Sequence, residues 1–152
     1  MELVPLTDVA ERLEMSYANV RKLTDAHVLP SVAASNRTYV LESDVRTAEQ
    51  RPIAKITRPT LQARLRPTTD WTDTNQVNTW EAKHPDDLAG GFIALTISGF
   101  VVRVLHILGP YTTDRRYRTF ETDENIGDDG MQLLESRFAT IKGPVTTIWH
   151  PE

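Results

Sequence analysis

The segment 6–45 constrains the fold of this chain more than any other part, because it places several short helical patterns close together. Thr7 is a favoured N-cap residue, and Asp8 puts a negative charge at the positive end of a helix dipole. Apolar residues then recur at helical spacing up to Leu13. We therefore predict a first helix over roughly residues 8–14.

A second helix follows after a short spacer. Ser16 predicts its N-cap, and the helix would begin at Tyr17. Val20 and Leu23 lie three residues apart, so both would face the core. The opposite face is polar and basic, which is typical of a helix that meets base edges and phosphates in DNA. The DNA-contacting residues predicted here are Ser16, Tyr17, Ala18, Asn19, Arg21 and Lys22.

A small hairpin is predicted after the second helix. Residues 32–34 and 38–41 have the pattern of two short strands, with residues 35–37 at the tip. Arg37, followed by Thr38, would reach a phosphate or the minor groove from this hairpin. Both residues are therefore candidate DNA contacts.

A third helix completes the segment and precedes a change in pattern. Ser43 or Asp44 predicts its N-cap, and the helix would cover roughly residues 45–50. Beyond it the chain changes from helical to mostly extended patterns. We therefore predict a DNA-binding domain over residues 1–51 and an α+β domain over residues 52–152.

This order of elements resembles the winged helix-turn-helix of the MerR and excisionase group. The group combines leucine-threonine, an apolar helix, a serine cap, a valine-arginine recognition helix, leucine-proline and an arginine-bearing wing. The resemblance implies that the second helix enters the major groove of double-stranded DNA and that Arg37 lies on the wing. The matching residues are Leu6-Thr7, Ala10, Leu13, Ser16, Val20-Arg21, Leu29-Pro30, Arg37-Thr38-Tyr39 and Asp44-Val45.

Two positions depart from the glycines that are usual in this group. The chain has Glu14 in the turn between the first two helices and His27 before the leucine-proline pair. Glycine is common at such positions because positive φ is often needed there. We therefore expect modest backbone strain at both residues.

The charge of the chain argues against indiscriminate nucleic-acid binding, since the net charge is −4. The first fifty-two residues hold six Lys or Arg against eight carboxylates. DNA binding then requires the charges to segregate on the surface. The cations expected on the DNA side are Arg21, Lys22 and Arg37, and the acids expected to face away are Glu2, Glu11, Glu14 and Glu42.

Several function classes are disfavoured by composition. The chain has no cysteine, which removes disulfides and thiolate metal sites. It has no long apolar run and no basic-then-apolar leader at its start, so a cytoplasmic protein without membrane contact is expected. The usual phosphate-loop, nucleophile-elbow and metalloprotease motifs are missing. We expect no enzymatic activity, no cofactor and no metal.

The second part of the chain predicts a mainly antiparallel sheet. Residues 61–66 alternate apolar and polar side chains, which indicates a half-buried strand with a basic face. Ser98-Gly99 fits a two-residue hairpin turn, and Gly109-Pro110 would end the strand that follows it. The predicted strands are residues 61–66, 92–97, 100–108, 115–122 and 145–149.

Two helices are predicted beside this sheet. The first lies near residues 76–83, and His84-Pro85 would end it. The second would begin with a capping box of Asp129 and Gln132 and would end at Gly143-Pro144. The predicted fold class is therefore α+β, with a winged helix-turn-helix followed by a sheet of four or five strands and two helices.

A cluster of arginines is the second candidate for DNA contact. Arg115, Arg116 and Arg118 on or beside a hairpin could grip phosphates, and Arg64 and Arg66 could extend that surface. The alternative is a solvated edge strand whose charges prevent sheet-to-sheet aggregation.

The remaining polar and aromatic residues favour structural roles. His106 lies in an apolar strand and has no catalytic partner nearby in the sequence. The two acidic pairs, Asp86-Asp87 and Asp128-Asp129, are explained by loop or helix-cap positions. The three tryptophans, Trp71, Trp80 and Trp149, are expected to anchor the core.

The favoured function is a sequence-specific transcriptional regulator that acts as a repressor. Its architecture is broadly similar to immunity repressors of temperate phages. The C-terminal domain would add a second DNA contact, self-associate or bind a protein. The alternatives are an antitoxin, or a phage packaging or excision accessory protein, with a protein partner, and an effector sensor whose aromatic domain holds a small molecule.

Overall fold

The chain divides into two units in the computed structural model, which describes residues 2–152. The first unit extends to Arg51 and includes Arg66–Thr68. The second holds Pro52–Leu65 and Thr69–Glu152. Helices and strands both occur in the chain, so the α+β class is confirmed.

Helices and a small antiparallel sheet build the first unit. Its elements are β1 (Leu3–Pro5), α1 (Leu6–Leu13), α2 (Tyr17–Asp25), β2 (Val32–Ala34), β3 (Arg37–Leu41) and α3 (Glu42–Glu49). β3 is the central strand and pairs with β1 on one side and β2 on the other. The predicted start of the second helix and the predicted strand over residues 32–34 are confirmed.

The first and third helices begin earlier than predicted, because each follows a strand directly. α1 begins at Leu6, after Pro5 in an extended conformation with φ −64° and ψ 150°. α3 begins at Glu42, after Leu41 in an extended conformation. Pairing of these strands in one sheet sets where the chain turns into each helix. The predicted N-caps were therefore wrong, and the residues inside the helices are Thr7, Ser43 and Asp44.

A packed core and an ion-pair network hold the first unit together. α1 contacts α2, α3 and β3. Arg12 on α1 donates to Glu42 (Nη2–Oε1, 3.0 Å) and to Glu49 (Nε–Oε1, 3.2 Å) on α3. The fully buried side chains are Val9, Val20, Leu23, Val40 and Val45.

A six-stranded sheet forms the centre of the second unit. Its strands are β4 (Thr60–Arg64), β5 (Thr79–Glu81), β6 (Phe92–Ile97), β7 (Phe100–Asp114), β8 (Tyr117–Asp123) and β9 (Thr146–Trp149). The strand order is β5-β8-β7-β6-β4-β9, and only β4 and β6 run parallel among the strand pairs of residues 2–152. The prediction of four or five strands missed β5. Three helical elements accompany the sheet: α4 (Thr74–Val77), a 3₁₀ helix (Pro85–Leu88) and α5 (Gly127–Leu134).

β4 is buried on both faces, so the predicted half-buried strand with a basic face was wrong. It lies between β6 and β9, which makes it an inner strand. Gln62 is fully buried, donates to Thr96 Oγ1 (3.3 Å) and accepts from Trp149 Nε1 (3.0 Å). A polar side chain is tolerated there because both ends of its amide are hydrogen-bonded.

The helix predicted over residues 76–83 was wrong. α4 ends at Val77, and the chain then extends as β5, which pairs with β8. Trp80 Nε1 donates to the Val77 carbonyl (2.8 Å), and the Trp80 ring packs against the core of the sheet. Strand pairing and burial of this ring outweigh the local helical pattern.

β7 continues beyond Gly109-Pro110, which was predicted to end it. The strand runs to Asp114, and its register with β8 shifts between Ile107 and Tyr111. This irregularity accommodates Pro110, which has no N–H for the ladder. The Ser98-Gly99 turn between β6 and β7 is confirmed, since both residues have positive φ (49° and 84°).

The last predicted helix is shorter and lacks its predicted capping box. α5 begins at Gly127, so Asp129 lies inside its first turn. The Asp129 carboxylate instead accepts from Thr57 Oγ1 (3.1 Å) and pairs with Arg58 (Nε–Oδ2, 2.7 Å). The helix ends at Leu134 rather than before Gly143.

Candidate nucleic-acid interface

A three-residue turn joins α1 to α2 and depends on a left-handed residue. Glu14 has φ 56° and ψ 44°, and Met15 donates its N–H to the Ala10 carbonyl (3.0 Å). His27, after α2, also has positive φ (60°). The MerR and excisionase group, which this segment resembles, usually has glycine at these two positions. The expected backbone strain is therefore present at both Glu14 and His27.

Ser16 caps α2 as predicted. It is extended (φ −72°, ψ 157°), and its Oγ accepts from the Asn19 backbone N–H at 3.2 Å. The cap satisfies one of the N–H groups that have no partner inside the helix. The start and direction of α2 therefore depend on a local contact within its first turn.

α2 has one buried face and one exposed face. Val20 and Leu23 are fully buried, and Thr24 beside them is also buried. On the other side Tyr17 is 50% exposed, which is unusual for a large aromatic side chain. Of the predicted contacts, those exposed to solvent are Ser16, Tyr17, Ala18 and Lys22, while Asn19 and Arg21 are partly exposed.

The two cations on α2 differ in how they are held. The Arg21 side chain is 43% exposed and lies 3.6 Å from Asp25 (Nη2–Oδ1), one turn along the helix. A surface pair of this kind contributes less than about 1 kcal/mol, so a phosphate or base can replace the carboxylate. Lys22 is exposed, and no ion pair to it occurs among the described residues.

The β2–β3 hairpin carries the remaining predicted contacts of the first unit. Its two-residue turn is Ser35-Asn36, with positive φ at both residues (50° and 64°). Arg37 is exposed and begins β3, where it pairs with Ala34, so its predicted place in the turn was wrong by one residue. Thr38 is partly exposed beside it.

Charges in the first unit are distributed unevenly among its elements. Arg12 is engaged with Glu42 and Glu49, and Arg46 lies 3.6 Å from Glu42. These contacts neutralise two cations and two carboxylates on α1 and α3. The hydrogen bonds from Arg12 hold the pKa of Glu42 below its usual value. The cations of α2 and the hairpin, Arg21, Lys22 and Arg37, stay outside this network.

The second candidate surface is the tip of the β7–β8 hairpin in the second unit. The side chains of residues 112–117 are all exposed. Arg115 and Arg116 form the two-residue turn, with φ 58° at Arg115. The strand predicted over residues 115–122 therefore begins two residues later, at Tyr117.

Two of the three arginines at this tip are engaged locally. Arg116 lies 3.5 Å from Glu81 (Nε–Oε2) and over the Tyr117 ring, 5.3 Å from its centroid. Arg118 donates through Nη1 to the carbonyls of Arg115 (3.0 Å) and Tyr117 (3.3 Å). Since β8 pairs with β5 there, Arg118 does not lie on an edge strand. The alternative role, in which charges on an edge strand prevent sheet-to-sheet aggregation, therefore does not apply to Arg118.

Arg64 does not extend a nucleic-acid surface. It is partly buried and donates to the carbonyls of Ile141 (3.2 Å) and Pro144 (2.8 Å) and to Thr147 Oγ1 (2.8 Å). Burial lowers its pKa. The guanidinium therefore ties the segment after α5 to β4. Arg66, in contrast, is exposed.

The histidine and aromatic residues of the second unit contribute to its structure. His106 on β7 is partly buried, with its Nδ1 3.0 Å from Asp123 Oδ1. Trp71, Trp80 and Trp149 are partly buried and pack against the core. Within residues 2–152, no cluster of three or more His, Asp or Glu side chains could hold a metal ion. None of the helices in that range is long and apolar enough to cross a membrane.

Sequence analysis missed one feature of the second unit, a groove of about 760 Å³. Residues 79–84 line one side of it, and residues 144–146 line the other. The groove was missed because a helix was wrongly predicted over residues 76–83, where the structure has β5. The alternation of Thr79, Trp80 and Glu81 was the available signal for a strand, but three residues are too few to establish a period.

Comparison with protein-family models, with curated proteins and with solved structures found no match to this chain. The geometry of α2 and the β2–β3 hairpin is therefore the main basis for a functional assignment.

Proposed function

We propose that this protein is a sequence-specific double-stranded-DNA-binding regulator whose first unit is a winged helix-turn-helix. One observation carries the proposal. α2 follows α1 after a three-residue turn, is capped by Ser16, and buries Val20 and Leu23 while its other face stays open and polar. This arrangement supports the assignment of α2 as a recognition helix, whose N-terminal residues would contact base edges.

The exposed side chains of α2 have the chemistry for base readout. Arg21 pairs with the O6 and N7 acceptors of guanine once it leaves Asp25, and Asn19 suits adenine. Lys22 neutralises a phosphate. The open face thus combines groups that specify sequence with a group that adds affinity.

The β2–β3 hairpin acts as the wing in this proposal. Arg37 is exposed at the start of β3, directly after the turn. A cation there contacts a phosphate or the minor groove and fixes the register of α2. Repression is the regulatory effect we propose, since a protein bound in this way occupies DNA that other proteins need.

Selection of bound duplexes from a random pool, with the full chain at moderate salt, tests the proposal. We expect a consensus site of limited length. Binding to that site is then measured for Lys22→Ala and Arg37→Ala, and both are expected to weaken it. Arg46→Ala is the matched control, because it removes an exposed cation from α3, outside the proposed interface.

Two outcomes would contradict the proposal. The first is a pool that yields no consensus although the protein is folded by circular dichroism. The second is an equal loss of affinity in Arg46→Ala and Lys22→Ala, which would indicate that only net charge matters.

A further inference from the structure

Tyr17 is a large aromatic side chain that the first unit leaves half uncovered. It is the first residue of α2, directly after the Ser16 cap, and it is 50% exposed. Over the described residues, 2–152, no hydrogen bond, ion pair or ring contact engages its side chain. Covering an exposed ring is favourable, because apolar surface is removed from water. Tyr17 therefore has surface that a ligand can cover.

The position of Tyr17 places its ring at the end of α2 that a recognition helix presents to bases. In an α-helix the Cα–Cβ bonds tilt toward the N-terminus, so the side chain of the first residue extends past the first turn. The Ser16 cap fixes this turn, since its Oγ accepts from the Asn19 backbone N–H. The N-terminal residues of a recognition helix are those that contact base edges. A ring at this position is among the first groups that meet a base.

The exposed face of α2 changes from apolar to cationic along the helix. Tyr17 and Ala18 are exposed in the first turn. Residues four apart lie on the same side of a helix, so Arg21 follows Tyr17 and Lys22 follows Ala18 one turn later. The first turn of this face is therefore apolar, and the second carries two cations.

This combination suits the major groove of DNA better than an apolar protein partner. Phosphates and guanine acceptors match Arg21 and Lys22, whereas an apolar partner would cover these cations without supplying an acceptor. The base edges in the major groove present hydrogen-bond donors and acceptors, and their main apolar group is the C5-methyl group of thymine. An apolar first turn therefore has one chemical counterpart in the groove.

We propose that Tyr17 is a specificity-determining residue whose ring packs against the C5-methyl group of one thymine in the major groove. Ala18 extends the apolar patch beside it. The inference rests on the proposed function, and it names a base that α2 selects in addition to the base read by Arg21. Burial of one methyl group is expected to change affinity about fourfold.

Deoxyuridine substitution in the consensus duplex obtained by selection tests the contact without altering the protein. Each thymine is replaced in turn by deoxyuridine, which pairs with adenine in the same way and lacks only the C5-methyl group. With the full wild-type chain, we expect the replacement of at least one thymine to weaken binding about fourfold.

Two substitutions at Tyr17 connect that thymine to the aromatic ring. Tyr17→Ala keeps Cβ and removes the ring, so this variant should bind the thymine and deoxyuridine duplexes equally. Tyr17→Phe keeps the ring and removes the hydroxyl, so the preference for thymine should remain. Met131→Ala is the matched control and should also keep the preference. Met131 is an apolar residue of similar exposure, 47%, on α5 in the second unit.

Three results would overturn the inference while leaving the proposed function intact. One is a consensus duplex in which no deoxyuridine weakens binding. Another is equal sensitivity of wild type and Tyr17→Ala, which would assign the methyl contact to a different residue. The last is a loss of affinity in Tyr17→Phe equal to that in Tyr17→Ala, which would indicate a hydrogen bond from the hydroxyl. A pool without a consensus would instead overturn the proposed function, and this inference with it.

Discussion

The cations of α2 and the β2–β3 hairpin differ from Arg64 and Arg118 of the second unit in what holds them. Lys22 and Arg37 project from exposed positions, and Arg21 has only a 3.6 Å contact to Asp25. In the second unit, by contrast, Arg64 and Arg118 donate to backbone carbonyls at 2.8 to 3.3 Å. Some arginines of this chain are therefore held by backbone carbonyls and others are exposed, and sequence pattern alone does not separate the two groups.

This difference has a physical basis in the acceptors. A backbone carbonyl that is partly shielded from water, such as that of Ile141, needs a partner, so an arginine that satisfies it is expensive to remove. A loosely paired surface arginine loses little when a phosphate replaces its carboxylate. We therefore expect substitutions of Arg64 and Arg118 to act on stability and those of Arg21, Lys22 and Arg37 to act on DNA affinity.

The largest effect is expected for Arg64→Met, which keeps the length of the side chain and removes the guanidinium. The carbonyls of Ile141 and Pro144 lose their donor. The free energy of unfolding should fall by about 2–3 kcal/mol in urea denaturation. Arg66→Met, at an exposed position, is the matched control and should stay within about 0.5 kcal/mol of wild type. Equal stability of the two variants would refute the distinction between arginines that are hydrogen-bonded to backbone carbonyls and arginines that are exposed.

Arg21→Ala is expected to have the next largest effect. Operator binding should weaken by about 1–3 kcal/mol, and preference at one base position should relax. Titration against a panel of single-base operator variants measures both. Asp25→Ala removes the carboxylate near Arg21 and should leave affinity unchanged or slightly higher. A loss in Asp25→Ala equal to that in Arg21→Ala would indicate disturbance of α2 instead of lost readout.

Substitutions of the arginines at the β7–β8 tip should differ in their effects on stability and on DNA binding. Arg118→Ala should reduce the free energy of unfolding by about 1 kcal/mol, because two backbone carbonyls lose its donor. Arg115→Ala should leave stability near wild type. If this tip also touches DNA, Arg115→Ala reduces the slope of log affinity against log salt by about 1. Identical salt slopes in wild type and Arg115→Ala would remove the tip from the DNA interface.

The smallest effect concerns acid stability of the first unit. The hydrogen bonds from Arg12 lower the pKa of Glu42, so this contact stabilises the fold above the unfolded carboxyl pKa and is lost as pH falls through the folded value. Glu42→Gln removes that dependence. Thermal unfolding followed by circular dichroism should show a lower Tm than wild type near neutral pH and a difference that shrinks toward acid pH. A difference independent of pH would contradict this account.

Local features of the sequence predicted the elements whose contacts lie within a few residues. The Ser16 cap, the start of α2 and the Ser98-Gly99 turn are confirmed. A serine cap and a two-residue turn involve hydrogen bonds between near neighbours, so they can be read from short motifs. The predicted buried positions of α2 are correct for the same reason, since helical spacing sets its inward face.

Contacts between distant residues decided the remainder. Arg64 meets Ile141, which is 77 positions away, and β5 exists because it pairs with β8. Burial of β4 on both faces depends on its neighbours in the sheet, and those neighbours differ in direction and in distance along the chain.

The sequence by itself therefore determined the order of short helices and hairpin in the first unit, the cap of its second helix and the mixed α+β composition. Only the tertiary structure decided which arginines are available to a ligand, where α1 and α3 begin, and that the sheet curls, so that Thr146 of β9 donates a hydrogen bond to the Glu81 carbonyl of β5. The reason is that caps and turns are local free-energy minima, whereas strand neighbours and hydrogen-bond acceptors are supplied by parts of the chain that meet only after folding.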